Sequence, residues 1–324
     1  MRNVRSLCIM IAALACIAAT QAFAQPYPSK PIRLVVPFSP GGAVDFYARV
    51  VQGPLSEALG QQLVIDNRAG ASGMIGADIV AKSAPDGYTL LLGNIASLAT
   101  NVGIYSKMSY DPVKDFTPIM HTVDVNYVLV VHPSVPVHTV AELIAYAKAN
   151  PGKLSYGSAG SGSLPHLARE LFKSLTGTNM IHVPYKGGGP MVTDLVGGTV
   201  QLVIADQANL MPFVKSGKLR ALAVASPQRS ALYPELPTIA EAGVPGFQAV
   251  AWNGLVGPAG LPPDIVKRVH DAFAKVMAMP DVRQRLVAGG LDPVGDTPDA
   301  FGRFMRSEIT KWSKISKDVG AHVD

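Results

Sequence analysis

IRLVVPFSPGGAVDFYAR, residues 32–49, reads as a buried strand, a glycine turn and the opening of a helix. Ile32, Leu34, Val35 and Val36 form a short apolar run suited to a strand covered on both faces. Pro40, Gly41 and Gly42 break the extended pattern before helical spacing resumes at Ala43. A helix start leaves backbone N–H groups unpaired and carries the positive end of the helix dipole, so a glycine turn there can receive an anion without any cationic side chain. The same Gly-Gly pair also fits a tight turn with no ligand at all.

Outward from this unit the pattern repeats: strand-like Leu63 to Asp66, a turn from Asn67 to Gly73, a small-residue helix to about Lys82, and strand-like Tyr88 to Leu92. Such alternation predicts a mostly parallel sheet with helices on both faces and ligands at the carboxyl ends of its strands. Gly93, Asn94, Ser97 and Thr100 follow the third strand; polar residues in such a loop more often cap and turn, which makes Ser97 a weaker binding candidate. A second αβ series starts near Tyr127. Its strand Leu154 to Tyr156 enters Gly157-Ser158-Ala159-Gly160-Ser161-Gly162-Ser163, and Ser163 reads as the N-cap of LPHLARELFKSL, with Pro165 in the first turn. Two anion-ready helix starts in two series predict facing jaws. Asp206 ends the apolar strand Val200 to Ala205, where it could meet a ligand's ammonium or hydroxyl or simply cap the next helix.

The chain has 324 residues, 48% hydrophobic and 16% charged, enough for substantial cores and about two domains. Residues 1–24 have the form of a cleavable secretory signal: Arg2 and Arg5, an apolar centre, and Ala22-Phe23-Ala24 before Gln25. Both cysteines, Cys8 and Cys16, lie inside it, so the mature chain is expected to lack disulfides and thiolate chemistry. Loss of Arg2 and Arg5 lowers the formal charge from +5 to +3, and no basic run suggests nucleic acid or a membrane surface. Residues 157–163 hold no Gly-x-Ser-x-Gly register, which argues against a hydrolase built on Ser158, Ser161 or Ser163 with His166 as base. The glycine runs match neither a dinucleotide fingerprint nor a phosphate loop. The seven histidines lack metal-ligand spacing, so neither metal nor cofactor is expected.

PYPSKPIRLVVPFSPGGAVDFYAR, APDGYTLLLGN, YGSAGSGSLPHLA, VPYKGGGP, GKLRALAV, LPTIAEAGVPGF and WNGLVGPAGLPP occur in that order from about Tyr27 to the C-terminus. Together they resemble the Bug, or TctC-like, extracytoplasmic solute receptors of tripartite tricarboxylate transporters. The resemblance implies an α/β, type II periplasmic-binding-protein fold: two αβ lobes, a ligand cleft and two crossing hinge segments. Lobe 1 would comprise residues 25–124 plus 249–324 and lobe 2 residues 125–248, with hinges near Thr122 to Val125 and Gln248 to Trp252. It implies a carboxylate held by two glycine loops, matched here by Phe38, Ser39, Pro40, Gly41, Gly42 and Asp45 in the first and by Ser158, Ala159, Gly160, Ser161, Gly162, Ser163 and His166 in the second. Asp45 could instead complement the helix dipole. Asp206 matches a family position near the ligand's variable end.

The expected function is capture without chemistry by a periplasmic monomer. A di- or tricarboxylate, an acidic amino acid or an aromatic acid would pass to the membrane subunits of a tripartite transporter. An orphan sensor presenting the same ligand to a signalling receptor is the alternative. Gly160→Asp is expected to abolish binding and leave the fold intact.

Overall fold

Residues 27–160, 163–185, 187–230, 232–318 and 320–321 are described by a computed structural model. The expected signal segment, with Ser161 and Gly162, lies outside the described residues. Strand β1 (Ile32–Val36) is the apolar run seen in the sequence, and four of its five side chains are fully buried. Helix α1 (Ala43–Leu59) follows after the glycine turn and packs Val44, Tyr47, Val51, Leu55 and Leu59 against the sheet, a stripe with the 3.6-residue period of a half-buried helix. After it come β2 (Leu63–Asn67), α2 (Met74–Ala81), β3 (Thr89–Asn94), a π-helical turn Ala96–Thr100, and the one-turn α3 (Asn101–Ile104). The long strand β4 (Phe116–Val125) then leads through Asn126 alone into β5 (Tyr127–Val131).

The second series runs α4 (Val140–Ala149), β6 (Ser155–Ser158), α5 (Leu164–Thr176), β7 (Ile181–Pro184), α6 (Gly188–Val196), β8 (Leu202–Asp206), α7 (Gln207–Lys215) and β9 (Arg220–Val224). The chain returns through β10 (Ala251–Pro258) and ends with α8 (Pro263–Met277), α9 (Pro280–Ala288), β11 (Leu291–Pro293) and α10 (Pro298–Asp318). Two sheets result. One has the order β11-β4-β10-β3-β1-β2 and the other β7-β6-β8-β5-β9.

Neither sheet is mostly parallel, contrary to the expectation from the βα alternation. β1 pairs parallel with β2 and β3, but β10 runs antiparallel to β3 and β4, and β11 antiparallel to β4. In the second sheet β6 is parallel to β7 and β8, while β5 is antiparallel to β8 and β9. The cause is the pair of crossings. β4 carries the chain out of the first sheet in the sense of β3, and β10 brings it back outside any βαβ unit, between β3 and β4 and opposite in sense to both.

The carboxyl ends of β1, β3, β6 and β8 are the parallel-strand ends to which the alternation assigns a ligand. The register puts Tyr127, the first residue of β5, opposite Asp206, the last of β8. Helix α10 packs back on β4 and reaches α5 of the second series. Its buried Glu308 accepts hydrogen bonds at Oε2 from Trp252 Nε1 of β10 (3.1 Å) and from Trp312 Nε1 (2.8 Å), fixing one crossing strand to the terminal helix.

Candidate ligand-binding site

A cavity of about 330 Å³ opens between the two sheets. The first series supplies Phe38, Ser72, Asn94, Ile95, Ala96, Thr100, Asn101, Ile104 and Tyr105 to its wall; the second supplies Ala159, Gly160, Ser163, Leu164 and Pro165. Tyr127 and Ala251, the first residues of β5 and β10, complete it. Among the described residues every lining side chain is uncharged. A second compartment of about 210 Å³ shares Tyr127, Ala159 and Pro165 with the first and adds Ala205, Asp206, Asn209 and the start of α6.

In the first loop Phe38 lines the cavity, whereas Ser39, Pro40, Gly41 and Gly42 are exposed and lie outside its lining. Gly42 is the N-cap of α1 and has no side chain to satisfy the first turn. Asp45 is buried and turned back on its own loop. Its Oδ2 accepts from the Gly41 N–H (2.9 Å) and from Arg49 Nε (2.8 Å), and its Oδ1 accepts from Asn67 Nδ2 (3.0 Å). The Arg49 hydrogen bond holds the carboxyl below the usual carboxylate range against the opposing effect of burial. Asp45 therefore shapes the loop through a backbone N–H and two side chains.

In the second loop Ser158 is fully buried, with its Oγ donating to the Gly160 carbonyl (3.1 Å) and lying 2.7 Å from His182 Nε2. Ser163 occupies the N-cap position of α5, but its hydroxyl donates to the Gly160 carbonyl (2.6 Å) instead of accepting from the helix, so the expected side-chain cap is not formed. The first turn of α5 thus has no acceptor from the cap side chain, and Pro165 has no N–H to satisfy. Gly160 has φ +134°, a conformation that side-chain-bearing residues rarely adopt, and a Cβ there would stand 3.4 Å from the Tyr185 carbonyl oxygen. His166 is buried outside the cavity lining, its ring stacked on His182 at 4.0 Å and 8°. Burial lowers the pKa of both imidazoles, and for His182 burial and then the adjacent His166 push it down to about 4.

Ser97 is fully buried and spent on structure. Its N–H donates to Asn94 Oδ1 (3.1 Å), while its Oγ accepts from the Asn94 N–H (3.1 Å) and donates to the Asn94 carbonyl (3.1 Å), so it ties the turn behind the wall. Asp206 is the N-cap of α7, accepting the Ala208 N–H at 2.8 Å. It also lines the smaller compartment, where burial raises its pKa. Both roles read for it from the sequence are thus open to one carboxylate.

Sequence reasoning missed Ser72, Tyr105 and Tyr127. Ser72 follows Ala71 in the left-handed region (φ +46° and +52°), a strained pair between two glycines. Its Oγ lies 3.1 Å from the Tyr105 hydroxyl, and its carbonyl accepts from Asn101 Nδ2 (3.1 Å). The glycine bracket around Ala71-Ser72 was the available signal. Tyr105 and Tyr127 reach the cavity through tertiary packing, for which the local sequence carries no sign.

Residues 47–321 match the family model of the tripartite tricarboxylate transporter family receptor, TctC. The chain belongs to this receptor family. Among solved structures, the receptor is similar to that of R. palustris Rpa4515 with adipate, with 41% identity and a TM-score of 0.80 over 92% of this chain and 100% of that one. It is similar to the periplasmic binding protein BugD (32% identity, TM-score 0.76, 92% and 100% coverage). It also resembles MatC from Rhodopseudomonas palustris with bound malate (32% identity, TM-score 0.74, 89% and 99% coverage). The fold is the two-lobe type II periplasmic-binding-protein fold, and the family is one of solute-binding receptors.

Proposed function

We propose that this receptor captures a small carboxylate between two lobes in the periplasm and delivers it to the membrane subunits of a tripartite transporter. The lobes in this reading are residues 25–124 plus 249–324 and residues 125–248, closing about Thr122–Val125 and Gln248–Trp252. One observation carries it: a cavity of about 330 Å³ between two sheets, with no charged side chain among its described lining residues, reached by one helix start whose cap side chain is turned away and by Phe38 of the loop that opens another. A carboxylate in such a place is held by backbone N–H groups and the helix dipole, which bind an anion without a fixed countercharge. Rpa4515 with adipate and MatC with malate support an organic acid as the ligand class.

Capture works through closure. A ligand that touches both walls stabilises the closed arrangement by its differential affinity for it, and the closed arrangement is what a membrane partner can recognise. A thermal-shift screen of residues 25–324 against di- and tricarboxylates, acidic amino acids, aromatic acids and their amides tests the reading. Ligand at a hundred times its dissociation constant adds about 2.7 kcal/mol, a shift of several degrees. The expected result is a shift with an acid that its amide does not reproduce. Equal shifts with acid and amide, or none across the panel, would contradict it.

A further inference from the structure

Thr100 is the last residue of the π-helical turn that follows β3. It lines the cavity between the sheets, only 3% of its surface is exposed, and its hydroxyl has no hydrogen-bond partner among the described residues. A helical threonine ordinarily donates to the carbonyl four residues back. Thr176, Thr193 and Thr310 do so here, at 2.7, 3.1 and 2.9 Å. For Thr100 that carbonyl belongs to Ala96, and the Asn101 N–H takes it in the five-residue register of the π turn. In that register the Thr100 hydroxyl makes no bond to the Ala96 carbonyl and is left on the wall of the cavity.

Asn94, the last residue of β3, also lines the cavity. Its Oδ1 accepts from the Ser97 N–H, which fixes the amide orientation because a backbone N–H can only donate. Asn94 Nδ2 is then a donor with no partner among the described residues. Among the described residues, two donors without protein partners therefore line a space with no cationic side chain.

We propose that Thr100, with Asn94, determines specificity by hydrogen-bonding a second acceptor oxygen of the ligand, across the cleft from the carboxylate end held at the start of α5. This rests on the carboxylate reading and adds the second group of the same ligand. Asn94 Nδ2 can only donate, so the group recognised is a carboxylate, carbonyl or hydroxyl oxygen. An apolar tail there would leave both donors unsatisfied.

The test is titration calorimetry with three matched pairs, adipate and hexanoate, malate and butyrate, 4-hydroxybenzoate and benzoate, on the wild type, Thr100→Val and Thr100→Ser. Valine removes the hydroxyl at nearly constant volume; serine keeps it. The wild type is expected to prefer the oxygen-bearing member of at least one pair. Thr100→Val should shrink that preference roughly 10- to 100-fold with little change for the partner acid, and Thr100→Ser should retain it. An undiminished preference in Thr100→Val, or a wild type that binds both members of every pair equally, overturns the assignment and leaves the carboxylate reading standing. A wild type that binds none of the six acids overturns both.

Discussion

Asp45 carries a negative charge into the loop proposed to face an anion, and its surroundings explain how the two coexist. Both carboxylate oxygens are occupied, by the Gly41 N–H, Arg49 and Asn67. The sequence shows an acid in the first turn of a helix but not the side chains that would neutralise it, because Asn67 arrives from the end of β2. Gly160 makes the opposite point. The flexible loop was legible, but φ +134° means that Gly160→Asp would distort the backbone as well as add a charge, so that variant does not separate binding from folding. Ala159, which needs no such conformation and lines both compartments, is the better position.

His182 gives a pH dependence of defined sign. Its folded pKa is pushed to about 4, whereas an unfolded histidine titrates at about 6.5, so the unfolded chain takes up the proton first. The contribution to stability is complete above pH 6.5 and is lost as the pH falls towards 4; the lowered pKa of His166 acts in the same direction. The urea midpoint should fall across that window, and His182→Gln should flatten part of the fall. An identical pH slope in the variant would contradict this account.

At the scale of elements, β1, the starts of α1 and α5, and β6 were legible because local signals define them: short apolar runs, glycine turns and a proline in a first turn. Of β4 and β10 the sequence yields only the expected hinges near Thr122–Val125 and Gln248–Trp252, and for β10 the reason lies in Gly254. A Cβ on this strand glycine would stand 2.0 Å from the Phe301 ring, so the glycine exists to let α10 lie against the sheet. A contact between residues so far apart in the chain leaves no mark in the period of β10. The π turn was equally invisible: Thr100 sat in a loop noted for its polar residues, and nothing in the residue types marks the five-residue bond from the Asn101 N–H to the Ala96 carbonyl.

The bond between α10 and β10 has a measurable strength. Glu308→Ala removes the acceptor shared by the indoles of Trp252 and Trp312, at about 1–3 kcal/mol for each buried donor left unsatisfied. The urea midpoint should drop, and the emission of the only two tryptophans in the chain should change with it. An unchanged midpoint would show that these bonds contribute nothing net.

For the whole molecule, the two αβ series were visible as two rounds of the same pattern, and their opposed glycine loops suggested facing jaws. What the pattern could not convey was that both crossings are continuous with strands, so that Tyr127 and Ala251 stand at the cleft as well as at the passage between sheets. In the proposed closure, ligand contact and lobe movement would fall on the same residues. A ligand pressed against Tyr127 and Ala251 acts directly on the segments about which closure is proposed to occur, with no relay through the core.

The central claim is that a carboxylate occupies this cleft. Titration calorimetry of the acid giving the largest thermal shift, into the wild type and into Ala159→Asp, tests it most directly. The account predicts one-to-one binding by the wild type and a loss of roughly 100-fold or more in the variant, whose added carboxylate opposes the ligand's own. The ligand-free melting temperature should be nearly the same in both proteins. Undiminished affinity in an Ala159→Asp protein that folds normally would place the ligand elsewhere and contradict the account.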